Sequence, residues 1–212
     1  MIVVGLAGGS GSGKTTIARC LSERLSGYRV EHIDGDGVAH TLLAKDADVI
    51  RRVRDRFGDR VVTGGAIDRR KLGAIVFGDE EALADLNAII HPSVVAVCRG
   101  QIEAFELEGV EVVVVDAALL LEVPDAVRAI GIDHTIALAV TRAEQHRRLL
   151  AKGGVTVSDI EARLDSQAEL EKSFYRADNV VDTNRPLSDV VDDVMTIVDN
   201  LLRGRQAEQP GE

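Results

Sequence analysis

The chain has 212 residues, which is enough for one well-packed domain and short for two. A formal net charge of −10 and an aromatic content of 3% argue against a basic face and an aromatic base-stacking platform, so we expect no nucleic-acid partner. Because the sequence has neither a run of about 18 apolar residues nor a signal-peptide pattern, we expect no membrane association and a cytoplasmic location.

The first predicted elements surround a glycine-rich loop. Ile2–Ala7 is a short apolar run ended by glycines, which is typical of a strand buried on both faces. The loop "GGSGSGKT" follows, and apolar residues at helical spacing then predict a helix over Thr15–Leu25. A second strand is predicted at Arg29–Ile33, where the chain enters the segment "DGDG".

A long helical region comes next. The pattern from Val38 to about Phe105 is helical almost throughout, with one break at "GDRVVTGGAIDRR". The pair His91-Pro92 predicts a further helix boundary, because proline disfavours helical geometry in the residue before it.

Strands alternate with helices again in the second half of the chain. The strongest strand pattern is Val110–Val115, which Asp116 ends. The remaining predictions are strands at Thr135–Val140 and Asn179–Asp182, a helix through Leu150, a mobile glycine turn at "AKGGVTV", a helix over Leu187–Leu202 and a disordered polar tail from Arg203. The alternation predicts an α/β fold with a parallel sheet, helices on both faces and a ligand site at the carboxyl ends of the strands.

The glycine-rich loop fits the pattern of a phosphate-binding loop. Gly8, Gly13, Lys14 and Thr15 occupy the positions that the Walker A pattern demands, between a predicted strand and a helix. Backbone N–H groups of such a loop bind phosphate, the lysine reaches the β- and γ-phosphates, and the hydroxyl ligates Mg²⁺. We therefore predict ATP as co-substrate, Mg²⁺ as cofactor, and an ATP site made by Gly9, Gly11, Ser12, Gly13, Lys14, Thr15 and Thr16.

The rest of the chain narrows the class of phosphate-binding protein. No N-K-x-D guanine-recognition pattern occurs, which weakens a GTPase interpretation. Asp116 ends an apolar strand as a Walker B carboxylate would, so it is a candidate metal ligand beside Thr15, but it lacks the adjacent acidic pair of machine ATPases. A small-molecule kinase is favoured.

Acidic and basic clusters could complete such a site. Asp34 and Asp36 follow the second strand, where they could act on an acceptor hydroxyl or merely cap a helix, and spacing does not separate the two roles. Two basic clusters could bind phosphates or an anionic acceptor, or face solvent. They are Arg147, Arg148 and Lys152, and Arg69, Arg70 and Lys71. We expect His32 and His40 to be structural or solvent-exposed.

These segments together resemble the dephospho-CoA kinase family. The likeness runs from Ile2 to about Asn184 and rests on "GLAGGSGSGKTT", "HIDGDGVAH", "GAIDRRKLGAIVF", "LNAIIHPSV", "VVDAALLLE", "EQHRRLLAKGGVT" and "ARLDSQAELEKSFYRADNVVDTN". The resemblance implies a three-layer P-loop kinase fold and transfer of phosphate from ATP to the ribose 3′-hydroxyl of dephospho-CoA.

The resemblance also implies roles for residues. Lys14, Arg148, Asp34 and Asp36 would be catalytic, with Asp36 as the base, and Lys152 would join the ATP site. Asp36, Arg69 and His91 would bind the acceptor. The implied organisation is one domain over residues 1–205, with a core at about 1–36, 110–140 and 178–203, a helical acceptor-binding insert at about 38–108, a lid at about 145–175, and a disordered tail at 206–212.

The sequence departs from the family pattern at several positions. Gly35 stands between the two aspartates where alanine is usual, and Ala118 replaces a proline. Lys152 and Gly153 replace an arginine and an aspartate of the lid, and Thr183 and Arg185 are also substituted.

We expect a monomer or weak homo-oligomer whose partners are ATP and dephospho-CoA. The alternatives are a nucleoside or nucleoside monophosphate kinase, since "AGGSGSGKTT" would suit a uridine kinase equally well, and a catalytically weak nucleotide-binding regulatory protein.

Overall fold

The computed structural model describes residues 1–76, 78–118, 120–154 and 156–208. Its elements, in chain order, are β1 (Ile2–Ala7), α1 (Lys14–Arg24), β2 (Val30–Asp34), α2 (Gly35–Lys45), α3 (Ala47–Phe57), β3 (Val62–Thr63), β4 (Ala66–Ile67), α4 (Arg69–Val76), α5 (Glu80–Leu107), β5 (Val112–Asp116), α6 (Pro124–Ile130), β6 (His134–Ala139), α7 (Arg142–Lys152), α8 (Val157–Asp165), β7 (Asn179–Asp182) and α9 (Leu187–Glu208). Short 3₁₀ helices occupy Asp59–Val61 and Leu170–Arg176.

The main sheet is parallel and has the strand order β2-β5-β1-β6-β7. All residues of β1 and β5 are buried, because these strands have neighbours on both sides and helices on both faces. Alternate residues of β1 enter different cores: Val4 and Leu6 pack toward α1 and α9, and Val3 and Ala7 pack toward α5 and α6. The three-layer α/β prediction is confirmed.

The strand register brings the predicted site residues to one edge of the sheet. Asp34 at the end of β2 lies beside Asp116 at the end of β5, and Asp116 in turn lies beside Leu6 of β1. Because the strands are parallel, the loop after β1 and the acidic segment after β2 leave the sheet at this same edge.

The insertion between β2 and β5 has its own apolar core. The core contains buried residues from α2, α3, α4 and the first half of α5, among them Leu42, Val53, Leu72 and Ile90. The predicted break in this region is a β-hairpin formed by β3 and β4. Gly64 and Gly65 turn the hairpin with φ of 60° and 84°, conformations that glycine adopts without strain.

The predicted helix boundary at His91-Pro92 is wrong, because α5 runs without interruption from Glu80 to Leu107. Proline lacks the N–H that would bond to the preceding turn, so a proline inside a helix weakens that helix. Packing outweighs this loss, since Ile90 is buried in the core of the insertion and Cys98 and Ile102 are buried against the sheet. Among the described residues α5 is the one helix long and apolar enough to cross a membrane, and it packs against both cores through Ile90, Cys98 and Ile102.

The prediction of a disordered tail is wrong for residues 203–208, because α9 continues to Glu208. Arg205, within this stretch, donates hydrogen bonds to the Met1 carbonyl and, at 3.2 Å, to Asp133. Residues 209–212 lie outside the described residues.

The segment predicted to form a lid, about residues 145–175, covers most of α7, all of α8 and most of the 3₁₀ helix Leu170–Arg176. Leu149, Ile160 and Leu164 form a small core of their own, apart from the main cores. Gly153 ends α7 with a φ of 71°, and Gly154 follows with 78°, so two glycines in left-handed geometry begin the connection. Val155, also part of the predicted turn, lies outside the described residues.

Candidate active site

The loop from Gly8 to Lys14 connects β1 to α1 in the geometry of an anion-binding nest. Gly8, Gly11 and Gly13 have φ of 151°, 79° and 100°, so each occupies a region that a side chain would strain. Gly13 precedes α1, and no side chain of the described residues caps that helix end. The first N–H groups of α1 have no partner within the helix, so they are available to phosphate.

Lys14 is buried at the base of this loop. Its Nζ donates hydrogen bonds to the carbonyl oxygens of Gly8, at 2.6 Å, and Gly9, at 3.4 Å. Burial lowers the pKa of Lys14, and the charges of Asp36, Asp116 and Asp34 oppose that shift. The charges of three aspartates therefore act on this cation, whose present hydrogen-bond partners are carbonyl oxygens that phosphate oxygens could replace.

The hydroxyl of Ser12 is buried beside Gly8. It has no hydrogen-bond partner in the described part of the chain, and a Cβ on Gly8 would come within 2.8 Å of it. The backbone N–H of Ser12 donates to the Gly9 carbonyl oxygen at 3.1 Å. The predicted contact of Ser12 with ATP stays a prediction.

Asp116, at the end of β5, contacts two side chains through one carboxylate oxygen. The Thr15 hydroxyl donates to Asp116 Oδ2 at 3.1 Å, and His32 Nε2 lies 2.8 Å from the same oxygen. Asp116 itself is buried, whereas Thr15 is exposed at the start of α1. The two candidate metal ligands of the sequence thus contact each other, and His32 contacts the same carboxylate. The metal-binding role of Thr15 and Asp116 stays a prediction.

Asp34 and Asp36 differ in their hydrogen bonds. Asp34 caps α2 by accepting the N–H of Gly37 at 2.8 Å, which is the structural role that the sequence left open. Asp36 lies in the first turn of α2 and accepts the N–H of Ala118 at 3.2 Å through Oδ1. Gly35 lets α2 approach β5 closely, since a Cβ on it would lie 3.0 Å from the Asp116 carbonyl oxygen.

Arg148 lies against the phosphate loop rather than in solvent. Its guanidinium donates to the carbonyl oxygens of Gly11, at 3.1 Å, and Ser12, at 3.4 Å, and to the Thr183 carbonyl at the end of β7. Glu144 accepts a hydrogen bond from the Arg148 Nε at 2.8 Å. Side-chain hydrogen bonds from Arg147, the largest cause, and from Arg148 lower the pKa of Glu144 to about 2. Thr183, one of the departures from the family pattern, thus supports the residue that reaches the loop.

Basic groups of the insertion and of α8 influence the acidic site from a second side. Burial lowers the pKa of His40, and the charge of Arg69 lowers it further while Asp36 and Asp34 raise it. Burial lowers the pKa of Arg69, and the charge of Arg163 adds to this. Arg163 is thus a further cation beside Arg69 that the sequence did not single out.

The other predicted site residues are less closely connected. His91 is half-buried on α5, where burial lowers its pKa, and within the described ranges no hydrogen bond joins it to the acidic pair. Lys152 is exposed in the last turn of α7, and Thr16 is half-buried in the first turn of α1. Their predicted roles stay predictions.

Sequence reasoning missed two glutamines that contact the loop. Gln167 Oε1 accepts the N–H of Ser10 at 2.8 Å, and Gln145 Nε2 donates to the Ser10 carbonyl at 3.0 Å. Both lie more than 130 positions from Ser10, and no local pattern in the sequence marks a lone amide side chain as a loop contact.

Comparison with known proteins gives matches over most of the chain. The sequence model of the dephospho-CoA kinase family matches residues 2–189. A dephospho-CoA kinase of Carboxydothermus hydrogenoformans is 35% identical over 197 residues, which is 92% of each chain. The crystal structure of TT1252 from Thermus thermophilus aligns with a TM-score of 0.66 at 28% identity, over 99% of this chain and 98% of that one. A dephospho-CoA kinase structure from Campylobacter jejuni shares the fold, with a TM-score of 0.61 at 21% identity over 96% of this chain and 98% of that one.

Proposed function

Because the chain belongs to the dephospho-CoA kinase family, we propose that it transfers the γ-phosphoryl group of ATP to the ribose 3′-hydroxyl of dephospho-CoA, giving coenzyme A and ADP. The observation that carries the proposal is the meeting of Lys14 with Asp34, Asp36 and Asp116 at one edge of the sheet. Lys14, a cation that can bind phosphate, is thereby held within electrostatic reach of carboxylates that can act on a hydroxyl.

The donor half of the reaction depends on the loop and α1. The unpaired N–H groups at the start of α1 and the turned backbone of the loop bind the phosphates. Lys14 Nζ reaches the β- and γ-phosphates, and its charge stabilises the negative charge that the leaving ADP acquires. Arg148 supports the loop from outside, through the carbonyl oxygens of Gly11 and Ser12.

The residues present fit a magnesium ion. Mg²⁺ prefers oxygen ligands and uses one or two protein groups together with water and phosphate oxygens. The Thr15 hydroxyl can offer its oxygen to the ion while it still donates its proton to Asp116, as it does at 3.1 Å. Among the described residues no group of three or more His, Cys, Asp or Glu side chains could hold a metal by itself. When bound, the ion would neutralise charge on the β- and γ-phosphates.

Asp36 is the proposed base. One of its oxygens accepts the Ala118 N–H, which fixes the carboxylate, and the other can accept a proton from the ribose 3′-hydroxyl. As that proton moves to Asp36, the hydroxyl oxygen forms its bond to the γ-phosphorus and the bond from the γ-phosphorus to the bridging oxygen of ADP breaks. Asp34 shares the site but is engaged as the cap of α2.

The acceptor side has cations suited to an anionic molecule. The charges of Arg69, implied by the family resemblance, and of Arg163 from α8 act on His40, as do those of Asp36 and Asp34. Dephospho-CoA carries a pyrophosphate, whereas a nucleoside carries no charge for these guanidiniums to bind. The cytoplasmic location, the lack of a nucleic-acid partner and the monomeric or weakly oligomeric state remain predictions.

A competition among acceptors tests this function. With ATP and Mg²⁺ we expect kcat/KM for dephospho-CoA to exceed that for uridine, adenosine and nucleoside monophosphates by at least about 10²-fold, because a nucleoside offers Arg69 no charge and a monophosphate offers one phosphate where dephospho-CoA offers a pyrophosphate. ADP release measured at equal acceptor concentrations gives the comparison. Preference for uridine or a nucleoside monophosphate would overturn the acceptor, and absence of transfer to every acceptor would favour a nucleotide-binding regulatory protein.

A further inference from the structure

Ser10 of the phosphate loop is held on both of its backbone polar groups by side chains from the lid segment. Its N–H donates to Gln167 Oε1 at 2.8 Å, and its carbonyl accepts from Gln145 Nε2 at 3.0 Å. Gln145 lies on α7, and Gln167 follows the end of α8. The two helices of this segment therefore both bond to one residue of the loop.

The loop lies directly against α7 on both sides of Ser10. A Cβ on Gly9 would lie 2.6 Å from Gln145 Nε2 and 3.5 Å from Gln167 Oε1, so a side chain at that position would displace the amide of Gln145. A Cβ on Gly11 would lie 3.0 Å from the backbone carbonyl oxygen of Gln145. Glycines on both sides of Ser10 thus permit the direct contact between the loop and α7.

This contact lies at the end of the loop where the transferred phosphate is expected. Lys14 Nζ, which reaches the β- and γ-phosphates in such loops, bonds to the carbonyl oxygens of Gly8 and Gly9, immediately before Ser10. In a trans peptide the N–H and C=O groups point in opposite directions. The bond from Gln145 to the Ser10 carbonyl therefore turns the N–H of Gly11 away from α7.

We propose that Gln145 and Gln167 are positioning residues for phosphoryl transfer. They fix the peptide groups on either side of Ser10, and so keep this end of the loop aligned for the γ-phosphate while they tie α7 and the end of α8 to it. Neither side chain needs to touch the substrate. The effect on turnover rests on the proposed kinase function, whereas the effect on the loop does not.

Substitution of each glutamine by methionine removes the hydrogen bond while keeping a side chain of similar length. We expect Gln167→Met and Gln145→Met each to lower kcat about tenfold, which corresponds to one hydrogen bond of ordinary strength. The KM for ATP should change less than about threefold, because the N–H groups of α1 remain to bind phosphate. The double variant should lose less than the product of the two single losses, since both side chains hold one residue. Gln206→Met on α9 is the matched control, with unchanged kinetics.

Hydrogen exchange at the Ser10 amide tests the same inference without catalysis. In Gln167→Met the amide should exchange at least about tenfold faster than in the wild type. Gln167→Glu keeps an acceptor oxygen for that N–H and should retain most of the protection. The thermal unfolding midpoint should match that of Gln206→Met in every variant.

The two measurements separate failure of this inference from failure of the proposed function. Wild-type kcat and wild-type exchange in Gln167→Met would overturn the positioning role, as would a fall in kcat explained by a lower unfolding midpoint. If the wild-type protein does not phosphorylate dephospho-CoA, the proposed function fails, and the exchange rates alone then decide whether the glutamines hold the loop.

Discussion

Substitution of Lys14 by methionine is expected to lower phosphoryl transfer on the order of 10³-fold. Lys14 Nζ donates to the Gly8 and Gly9 carbonyl oxygens and lies within the field of three aspartates, so its loss removes the cation at the base of the loop. ATP affinity, measured by calorimetry, should fall with turnover because the same charge binds the ground-state phosphates.

The stability of this variant distinguishes a functional lysine from a structural one. Burial of the ammonium group lowers its pKa, which means that the folded protein holds this charge at a cost. Methionine fills similar space without that cost, so the thermal unfolding midpoint should be equal to or above that of the wild type. Lys45→Ala, at the exposed end of α2, is the control for general effects of losing a lysine. Near-normal transfer by Lys14→Met would contradict the assignment of this segment as a phosphate-binding loop.

Asp36→Asn is expected to lower kcat by about 10²- to 10⁴-fold while ATP affinity is retained. The asparagine oxygen can still accept the Ala118 N–H, so the start of α2 and the connection after β5 should keep their shape. Phosphoryl transfer is largely dissociative and needs little proton removal early, so we expect a loss toward the lower end of that range.

Asp34→Asn is the matched control for the loss of one carboxylate charge. Asparagine is as good a helix cap as aspartate, so it should keep the bond to the Gly37 N–H. We expect its kcat to fall less than about tenfold. Equal losses in the two variants, measured at saturating substrate, would mean that the pair acts through charge alone and that Asp36 is no base.

The donor half of the site could be predicted from the sequence because it is local. The loop between β1 and α1 needs glycines at positive φ, a lysine and a hydroxyl in one short stretch, and the structure has them in that order. Apolar runs likewise predicted the buried strands β1 and β5, and the likeness to the dephospho-CoA kinase family is confirmed.

The parts that the sequence did not predict depend on contacts between distant segments. Three contacts of this kind join different elements of the fold: those of Gln145 and Gln167 with the loop, that of Arg148 with Thr183, and that of His32 with Asp116. The helix boundary predicted at Pro92 is wrong for the same reason. Local preference predicts a helix end there, but packing of α5 against two cores overrides it.

The identity of the product tests the central claim most directly. Wild-type protein incubated with ATP, Mg²⁺ and dephospho-CoA should give a new phosphate monoester on the ribose 3′-carbon, detected as a ³¹P resonance coupled to the 3′-proton, together with one equivalent of ADP. The Lys14→Met variant under the same conditions should leave dephospho-CoA unchanged. A phosphate at another position, or unchanged dephospho-CoA with the wild-type protein while a nucleoside in the same mixture is phosphorylated, would contradict the account.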